Sequence, residues 1–211
     1  MNYPNIFPAS CYPTTFFGTF FLPDGGKPLD TYIRQPIEWL VLEKDIKNGR
    51  ALLLSKYVLD WEGFANCPIL GSGYETSWKE SYLRLWLNDE FFKENFSAEE
   101  QALILPINHA EDGSDDEEVI DRVFLLSLDE VKKYFPNQED AVAFMHEVTS
   151  VGCSGTKDSP IELEYDTYFW WTRTSGATKD LVVCVHWDGE LYVTDSNADE
   201  LGVRPAVWVK L

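Results

Sequence analysis

The chain has 211 residues, 45% of them apolar and 15% aromatic, which is enough to bury a sizeable core. Its 36 acidic and 17 basic residues give a net charge of −19, which argues against binding to nucleic acids or anionic membranes. No apolar run is long enough for a membrane-spanning helix. The first fifteen residues carry neither a positive charge nor an apolar run, so a cytoplasmic location is expected unless a leader was removed.

The N-terminal third of the chain predicts strands. Residues 1–14 read as an extension, and the aromatic run 15–21 predicts a strand with a bulge at Gly18. The apolar segments 37–43 and 50–55 flank Asn48-Gly49, a dipeptide typical of tight turns, and therefore predict a hairpin.

The middle of the chain predicts helices, because Ser77, Ser97 and Ser127 are each followed three residues later by glutamate, as in a capping box. The expected helical segments are 78–88, a short one after Ser97, 128–135 and 138–148, with a strand at 122–126. Residues 111–118 contain six acids and predict a solvated loop.

The C-terminal third predicts strands again, at 167–173, 181–187, 190–194 and 203–209. If Asp188-Gly189 is a two-residue turn, Cys184 lies opposite Val193, and Leu191 shares their apolar, core-facing side. The layout as a whole predicts one α+β domain over 1–211, with helices inserted between N-terminal and C-terminal strands in mixed or antiparallel sheets.

Several short motifs follow one another along the chain in the same order as in a known family. They are Ile37-Glu38-Trp39, Leu52-Leu53-Leu54-Ser55, Ser81-Tyr82-Leu83-Arg84 with Trp86-Leu87-Asn88, Phe124-Leu125-Leu126-Ser127, Trp170-Trp171-Thr172-Arg173 and Gly202-Val203-Arg204-Pro205-Ala206-Val207-Trp208. Together they resemble an uncharacterised bacterial domain family with S-x-L-R-x-W-L-N, F-L-L-S, W-W-L-R-S and G-x-R-P-A-x-W motifs. Thr172 and Thr174 depart from that pattern, where the family usually has Leu and Ser.

The ending of that family in turn resembles the C-type-lectin-like fold of formylglycine-generating enzymes and of variable binding proteins. This second resemblance implies a C-type-lectin-like binding scaffold and does not by itself imply an activity.

Metal and cofactor sites are not predicted. The cysteines at 11, 67, 153 and 184 form no C-x-x-C, and the histidines at 109, 146 and 186 form no H-x-x-x-H. Asp195-x-Asn197-x-Asp199 begins like a calcium loop, but Glu200 replaces the required Gly and Ala206 the bidentate Glu. We therefore expect no structural calcium or zinc and no cofactor.

Candidate catalytic groups are few. Cys184 and His186 lie two residues apart on one strand, too far for a direct nucleophile–base bond, and are interpreted as core residues. A formylglycine-type oxidase would need two cysteines close enough to hold copper(I). The spacing delivers no such pair, although the fold could bring Cys153 and Cys184 together. Arg173 and Arg204 either pair with buried carboxylates or clasp an anionic ligand.

The predicted ligand site is the face opposite the expected core face of the C-terminal sheet. It comprises Trp171, Arg173, Trp187, Glu190 and Tyr192, unless helices cover this face as a second core layer. We therefore expect a non-catalytic module that binds a glycan, a peptide or another protein. The alternatives are a copper oxidase of the formylglycine-generating type and a structural subunit that binds another chain.

Overall fold

The structure, a computed structural model, describes residues 12–23, 32–65, 77–109, 119–144, 167–178, 180–198 and 201–211. Its longer strands are β1 (Thr14–Pro23), β2 (Tyr32–Asp45), β3 (Arg50–Ser55), β11 (Trp170–Ser175), β12 (Leu181–Val185), β13 (Leu191–Asp195) and β15 (Ala206–Lys210). Two-residue strands are β4 (Asp60–Trp61), β5 (Ile104–Leu105), β6 (Ile107–Asn108), β7 (Ile120–Asp121), β8 (Val123–Phe124), β9 (Ala143–Phe144), β10 (Thr167–Tyr168) and β14 (Gly202–Val203).

Two sheets form the framework. The first sheet has the order β1-β2-β3-β15-β5, with β8 also paired to β15. The second sheet has the order β13-β12-β11-β14-β4, in which the β11–β14 pair is parallel and the other pairs are antiparallel. The pairs β6–β7 and β9–β10 lie outside these sheets. The predicted α+β class with mixed sheets is confirmed, although strands outweigh helices.

Two chain segments cross side by side from one sheet to the other. In one segment, β3 of the first sheet is followed by β4 of the second; in the other, β14 of the second sheet is followed by β15 of the first. Because β3 pairs with β15 and β4 pairs with β14, the antiparallel pairing continues from one sheet into the other. The backbone N–H of Ser55 donates to the carbonyl of Pro205 (2.8 Å), and that of Leu59 donates to the carbonyl of Val203 (3.0 Å). The two sheets are therefore joined by continuous hydrogen bonding at this crossing.

The helices are short. They are α1 (Tyr82–Trp86), a π turn (Leu87–Phe91), α2 (Phe92–Asn95), α3 (Ala98–Leu103) and α4 (Leu128–Tyr134), with 3-10 turns at Ile46–Asn48, Trp78–Glu80 and Gln138–Ala141. The capping boxes predicted at Ser97 and Ser127 are confirmed, with both reciprocal hydrogen bonds present. Helix α1 is capped instead by Ser81, whose side chain accepts the N–H of Arg84 (3.1 Å).

The predicted helix 138–148 is wrong over its described part, because only a 3-10 turn forms and β9 follows it. Residues 145–148, the acidic segment 111–118 and residues 1–11 of the predicted extension lie outside the described residues. Within those described, no helix is long and apolar enough to cross a membrane.

Asn88 fastens the helical segment to the first sheet. Its side-chain amide donates to the carbonyls of Arg84 (3.0 Å) and Val123 (2.8 Å), while its Oδ1 accepts the N–H groups of Arg122 (2.7 Å) and Val123 (3.2 Å). Asn88 lies in the π turn, which contains one residue more than an α-helical turn. The turn therefore coincides with the position whose side chain bonds the backbone of residues 122 and 123.

Two predicted features of the N-terminal strands are confirmed. β1 has a register shift between Phe16 and Thr19, where Gly18 has a φ of 68°; a Cβ on Gly18 would also lie 2.6 Å from the Phe96 ring, so both the backbone and the packing require glycine here. β2 and β3 form the hairpin, closed by a turn in which Gly49 is left-handed.

Candidate functional site

The β12–β13 hairpin closes with a three-residue loop. The N–H of His186 donates to the carbonyl of Glu190 (2.7 Å), and the N–H of Gly189 donates to the carbonyl of His186 (2.9 Å). The loop residues are thus 187–189, with Gly189 left-handed at a φ of 88°. This is the geometry of a type I turn followed by a bulge glycine.

The predicted register is therefore wrong by one residue. Cys184 pairs with Tyr192 and Val185 pairs with Leu191, whereas a two-residue turn would have placed Cys184 opposite Val193. Because a shift of one residue exchanges the faces of a strand, Leu191 and Val193 lie on the side opposite Cys184, not on its side. Tyr192 takes the side of Cys184 instead.

The tip of this hairpin is held against the turn that follows α4. Gln138 Nε2 donates to the carbonyl of Asp188 (3.2 Å), and a Cβ on Gly189 would lie 2.0 Å from the carbonyl oxygen of Gln138. Asp188 Oδ1 accepts the N–H of Glu190 (3.0 Å) and contacts His186 Nδ1 (2.7 Å). Burial opposes its ionisation, but these two contacts prevail and lower the pKa of Asp188.

β13 is an edge strand, and its apolar side chains are exposed on both faces. Leu191 is 40% exposed, Tyr192 57% and Val193 45%, and the adjoining Trp187 is 45% exposed. Together with Glu190, which is also exposed, these residues make up the exposed edge and tip of the hairpin, which we call the hairpin patch. Trp187, Glu190 and Tyr192 of the predicted site belong to it.

Aromatic rings flank the hairpin patch on the Tyr192 side. The His186 ring centroid lies 4.3 Å from that of Phe169, 5.0 Å from that of Trp187 and 6.0 Å from that of Tyr192. We call these four rings the aromatic row. Phe169 and His186 are only half-buried, so the row remains partly accessible to solvent.

A cleft of ≈ 340 Å³ adjoins the hairpin patch on the Leu191 side. Glu190 and Leu191 form one wall, while Val131, Phe135 and Pro136 at the end of α4 form part of the other. The hairpin patch thus lies between a partly apolar cleft on one face of the sheet and an aromatic row on the other.

Trp171 does not lie on an accessible face. It is 0% exposed, its ring centroid lies 5.5 Å from that of Phe64, and its Nε1 donates to the carbonyl of Glu62 (2.9 Å). The expectation that Trp171 joins Trp187 on an open surface is therefore wrong, because residues from the β4 region cover this part of the sheet.

Arg173 is also buried, so its predicted place on the open face is wrong. Its Nη1 contacts Glu130 Oε2 (2.5 Å) and donates to the carbonyl of Leu125 (2.6 Å). A register irregularity after Trp171 accompanies this inward orientation. The alternative interpretation, a structural ion pair, is confirmed for Arg173.

Arg204 has a structural environment without a carboxylate. Its Nε donates to the carbonyl of Ser55 (2.9 Å) and its guanidinium carbon lies 5.1 Å from the Trp170 ring centroid and 5.6 Å from that of Phe135. Within the described residues no carboxylate lies at ion-pair distance from it, so the expected acidic partner is replaced by carbonyls and ring faces. Burial lowers the pKa of Arg204 to about 9, which leaves it charged at neutral pH.

Cys184 and His186 do not form a catalytic pair. Burial raises the pKa of the Cys184 thiol to about 12, so the nucleophilic thiolate is scarce at neutral pH. His186 is held by Asp188 and by its neighbouring rings. The buried-thiol interpretation of Cys184 is confirmed, whereas His186 has a carboxylate partner in the loop instead of the expected core position.

The sequence did not predict a buried polar cluster around Asp121. Asp121 accepts the Nε1–H of Trp78 (2.9 Å) and the Nε–H of Arg84 (2.6 Å), and its Oδ2 lies 3.8 Å from His109 Nε2. Burial, then the charges of Arg173 and Arg84, lower the pKa of His109 to about 3. His109 is therefore neutral at neutral pH, and the oxygens of Asp121 are engaged in a structural network.

A cluster of acidic side chains near Trp61 was also not predicted. Burial, then the charges of Asp60 and Glu90, raise the pKa of Glu62 to about 7. The Trp61 ring centroid lies 5.4 Å from that of Tyr168. The sequence signal that could have indicated it is a pair of acids two residues apart on either side of a tryptophan.

No group of three metal-ligating side chains occurs among the residues that the structure describes. Asp195, the first residue of the incomplete calcium loop, accepts the N–H and side-chain amide of Asn197 (2.8 and 3.1 Å). Asp199 and Cys153, which the calcium and copper interpretations need, lie outside the described residues.

Comparison with known proteins identifies a family. The sequence profile of a family described as a domain of unknown function, DUF6273, matches residues 48–211. No curated protein and no solved structure matches the chain.

Proposed function

The chain belongs to the DUF6273 family, and we propose that it is a non-catalytic binding module whose hairpin patch recognises a polypeptide partner. The single observation that carries this proposal is the exposure of four apolar side chains, Trp187, Leu191, Tyr192 and Val193, on one hairpin. Contiguous exposed apolar surface with aromatic side chains and a polar rim is typical of protein interaction sites.

The chemistry of the described residues favours binding over catalysis. The thiol of Cys184 is buried, Asp121 is neutralised by Arg84, and Glu62 has no described nucleophile hydrogen-bonded to it. Nucleophilic catalysis requires a nucleophile and a base within hydrogen-bond reach of each other. The net charge of −19 would repel a phosphate backbone, so we do not propose nucleic acid as the ligand.

We also propose that the fold is related to the C-type-lectin-like scaffold. The pairing of β3 with the C-terminal β15, with all of the described α-helices between them in sequence, supports this relation. In such an arrangement the central segment is framed by terminal strands, and β13 at the edge of the second sheet is the exposed part of that sheet.

Arrays of glycans and of peptides test the proposed function. We expect the protein to bind peptides and not glycans, and the double variant Trp187→Ala/Tyr192→Ala to lose this binding by about ten-fold or more, as for interface hot spots. Phe16→Ala is the matched control, because Phe16 is an exposed aromatic residue of the first sheet. Selective glycan binding, absence of binding on both arrays, or equal loss in the control would contradict the proposal.

The alternative function is a copper oxidase of the formylglycine-generating type. It requires two thiolates at one site, and the burial of Cys184 raises the free energy needed to form one of them. Titration with copper(I), read out by protection of cysteines from alkylation, separates the two functions. Tight binding that shields Cys184 and a second cysteine would replace the binding-module proposal.

A further inference from the structure

We propose that β13 accepts an extended, basic segment of the partner polypeptide as an additional strand of the second sheet. This inference rests on the proposed function and specifies the partner and the mode by which it binds. β-strand addition supplies affinity through backbone hydrogen bonds and specificity through alternate side chains.

The free edge of β13 has a defined hydrogen-bonding phase. The bond from His186 N–H to the Glu190 carbonyl marks a hydrogen-bonded pair, so the next such pair is Cys184 with Tyr192. Because the two types of pair alternate in an antiparallel ladder, the N–H groups of Leu191 and Val193 point away from β12. The structure shows no hydrogen bond from either group to any residue that it describes.

Among the described residues, this edge lacks most of the features that normally prevent strand addition, and its charged residues stand only at its ends. β13 contains no proline, no lysine and no bulge, since its pairing with β12 is regular from Leu181–Asp195 to Val185–Leu191. The opposite edge of the same sheet, β4, has only two residues. Because exposed edges are usually shortened or blocked, a regular apolar edge favours an interface role.

Both faces of an added strand would have neighbours. Side chains on one face would lie beside Leu191, Val193 and the cleft at α4, while those on the other would lie beside Tyr192 and the aromatic row. Since side chains alternate between faces, a segment with apolar residues at alternate positions fits the edge.

The charges around the edge specify a basic partner. Asp188 and Glu190 precede β13, Asp195 is its last residue, and Asp180 lies beside it, where its carbonyl accepts the N–H of Ser196. These four acids outweigh the basic Lys132, which lines the neighbouring cleft. A second copy of the chain would bring the same acids and another charge of −19 to this edge. A lysine- or arginine-bearing segment brings complementary charge, so we commit to that occupant.

The probe is the acetylated and amidated octapeptide (Lys-Val)4, added to the full chain labelled with ¹⁵N. We expect amide hydrogen exchange at Leu191 and Val193 to slow by about ten-fold or more, while Tyr192 and Thr194, already bonded to β12, change little. Unchanged exchange at Leu191 and Val193 with bound peptide would overturn strand addition.

Matched variants isolate the backbone contribution. Val193→Pro removes one outward N–H and should weaken binding of the octapeptide by about ten-fold, whereas Val193→Ala keeps the N–H and should weaken it only a few-fold. The same octapeptide N-methylated at alternate residues should not bind, and (Glu-Val)4 should not bind because of its charge. The N-methylated peptide keeps the test decisive if Val193→Pro does not fold.

The outcomes separate this inference from the proposed function. If the N-methylated peptide binds as well as the parent, or Val193→Pro binds as well as Val193→Ala, strand addition is wrong. Trp187→Ala/Tyr192→Ala can still lose array binding in that case, which upholds the proposed function alone. If light scattering shows a peptide-free dimer that protects Leu191 and Val193, the occupant is a second copy and the basic partner is wrong.

Discussion

At the scale of single residues, two tryptophans of the second sheet and its hairpin show that a side chain becomes core or surface according to whether another segment of the chain covers it. Trp171 and Trp187 both have polar neighbours in sequence, but Phe64 and the Glu62 carbonyl enclose only Trp171. Trp171→Ala should lower the free energy of unfolding by about 3–5 kcal/mol, the usual cost of a large core truncation. Trp187→Ala should change it by less than about 1 kcal/mol.

Urea unfolding of both variants measures these differences. Equal destabilisation by the two substitutions would show that Trp187 is part of the core, and the hairpin patch would then lose its central residue.

Glu62 makes stability depend on pH. Its carboxyl pKa rises from the reference 4.5 to about 7 on folding, mainly because of burial. Between these pH values the folded state keeps a proton that the unfolded state releases, so stability falls as pH increases through this window and is level above it. Glu62→Gln should therefore raise stability at pH 8 by about 1–3 kcal/mol and leave it unchanged near pH 4.

Thermal unfolding at both pH values tests this prediction, with Glu139→Gln as a control because Glu139 is exposed. A gain from Glu62→Gln that is equal at pH 4 and pH 8 would exclude ionisation as its cause.

At the scale of elements, two glycine turns of similar conformation have different surroundings. Gly49 and Gly189 have φ values of 61° and 88°, but a Cβ on Gly49 meets nothing within 4 Å, whereas one on Gly189 meets the carbonyl of Gln138. Gly49→Ala should cost about 1 kcal/mol for the left-handed backbone. Gly189→Ala should cost about 2–4 kcal/mol, because the hairpin must also move away from the turn after α4.

Denaturant unfolding compares the two variants, and amide exchange in β13 shows where the structure opens. Equal costs would mean that the hairpin tip moves freely and that the Gln138 contact does not hold it.

Local sequence predicted elements whose determinants are local. The Asn48-Gly49 hairpin and the Ser97 and Ser127 capping boxes depend on residues within one turn. The Asp188-Gly189 loop was assigned the wrong length, because a two-residue and a three-residue turn both place a glycine there. The three-residue loop is accompanied by contacts of Asp188 with His186 and Gln138, and the second of these is distant in sequence.

At the scale of the whole molecule, long-range packing explains what was missed at the site. The sequence placed five residues on one open face, but only Trp187, Glu190 and Tyr192 lie on the hairpin patch. Leu191 and Val193 joined them because of a register that the sequence did not specify. The α+β class depended only on the order of segments and was predicted correctly.

The crossing between the sheets should make them unfold together, and Arg204 tests this. Its guanidinium lies beside the Ser55–Pro205 bond, stacks on Trp170 of the second sheet and also donates to the carbonyl of Lys56 (3.4 Å). Lysine would keep the buried charge but lose the planar stacking and the forked donors, so Arg204→Lys should cost about 2–4 kcal/mol. Arg204→Met should cost less, because it removes the charge while filling similar volume.

In Arg204→Lys, amide exchange by global unfolding should accelerate by the same factor in β3 and β12, because both sheets depend on one crossing. Acceleration in only one strand would show that the sheets are separate cooperative units, and a larger cost for Met than for Lys would show that the charge itself is stabilising.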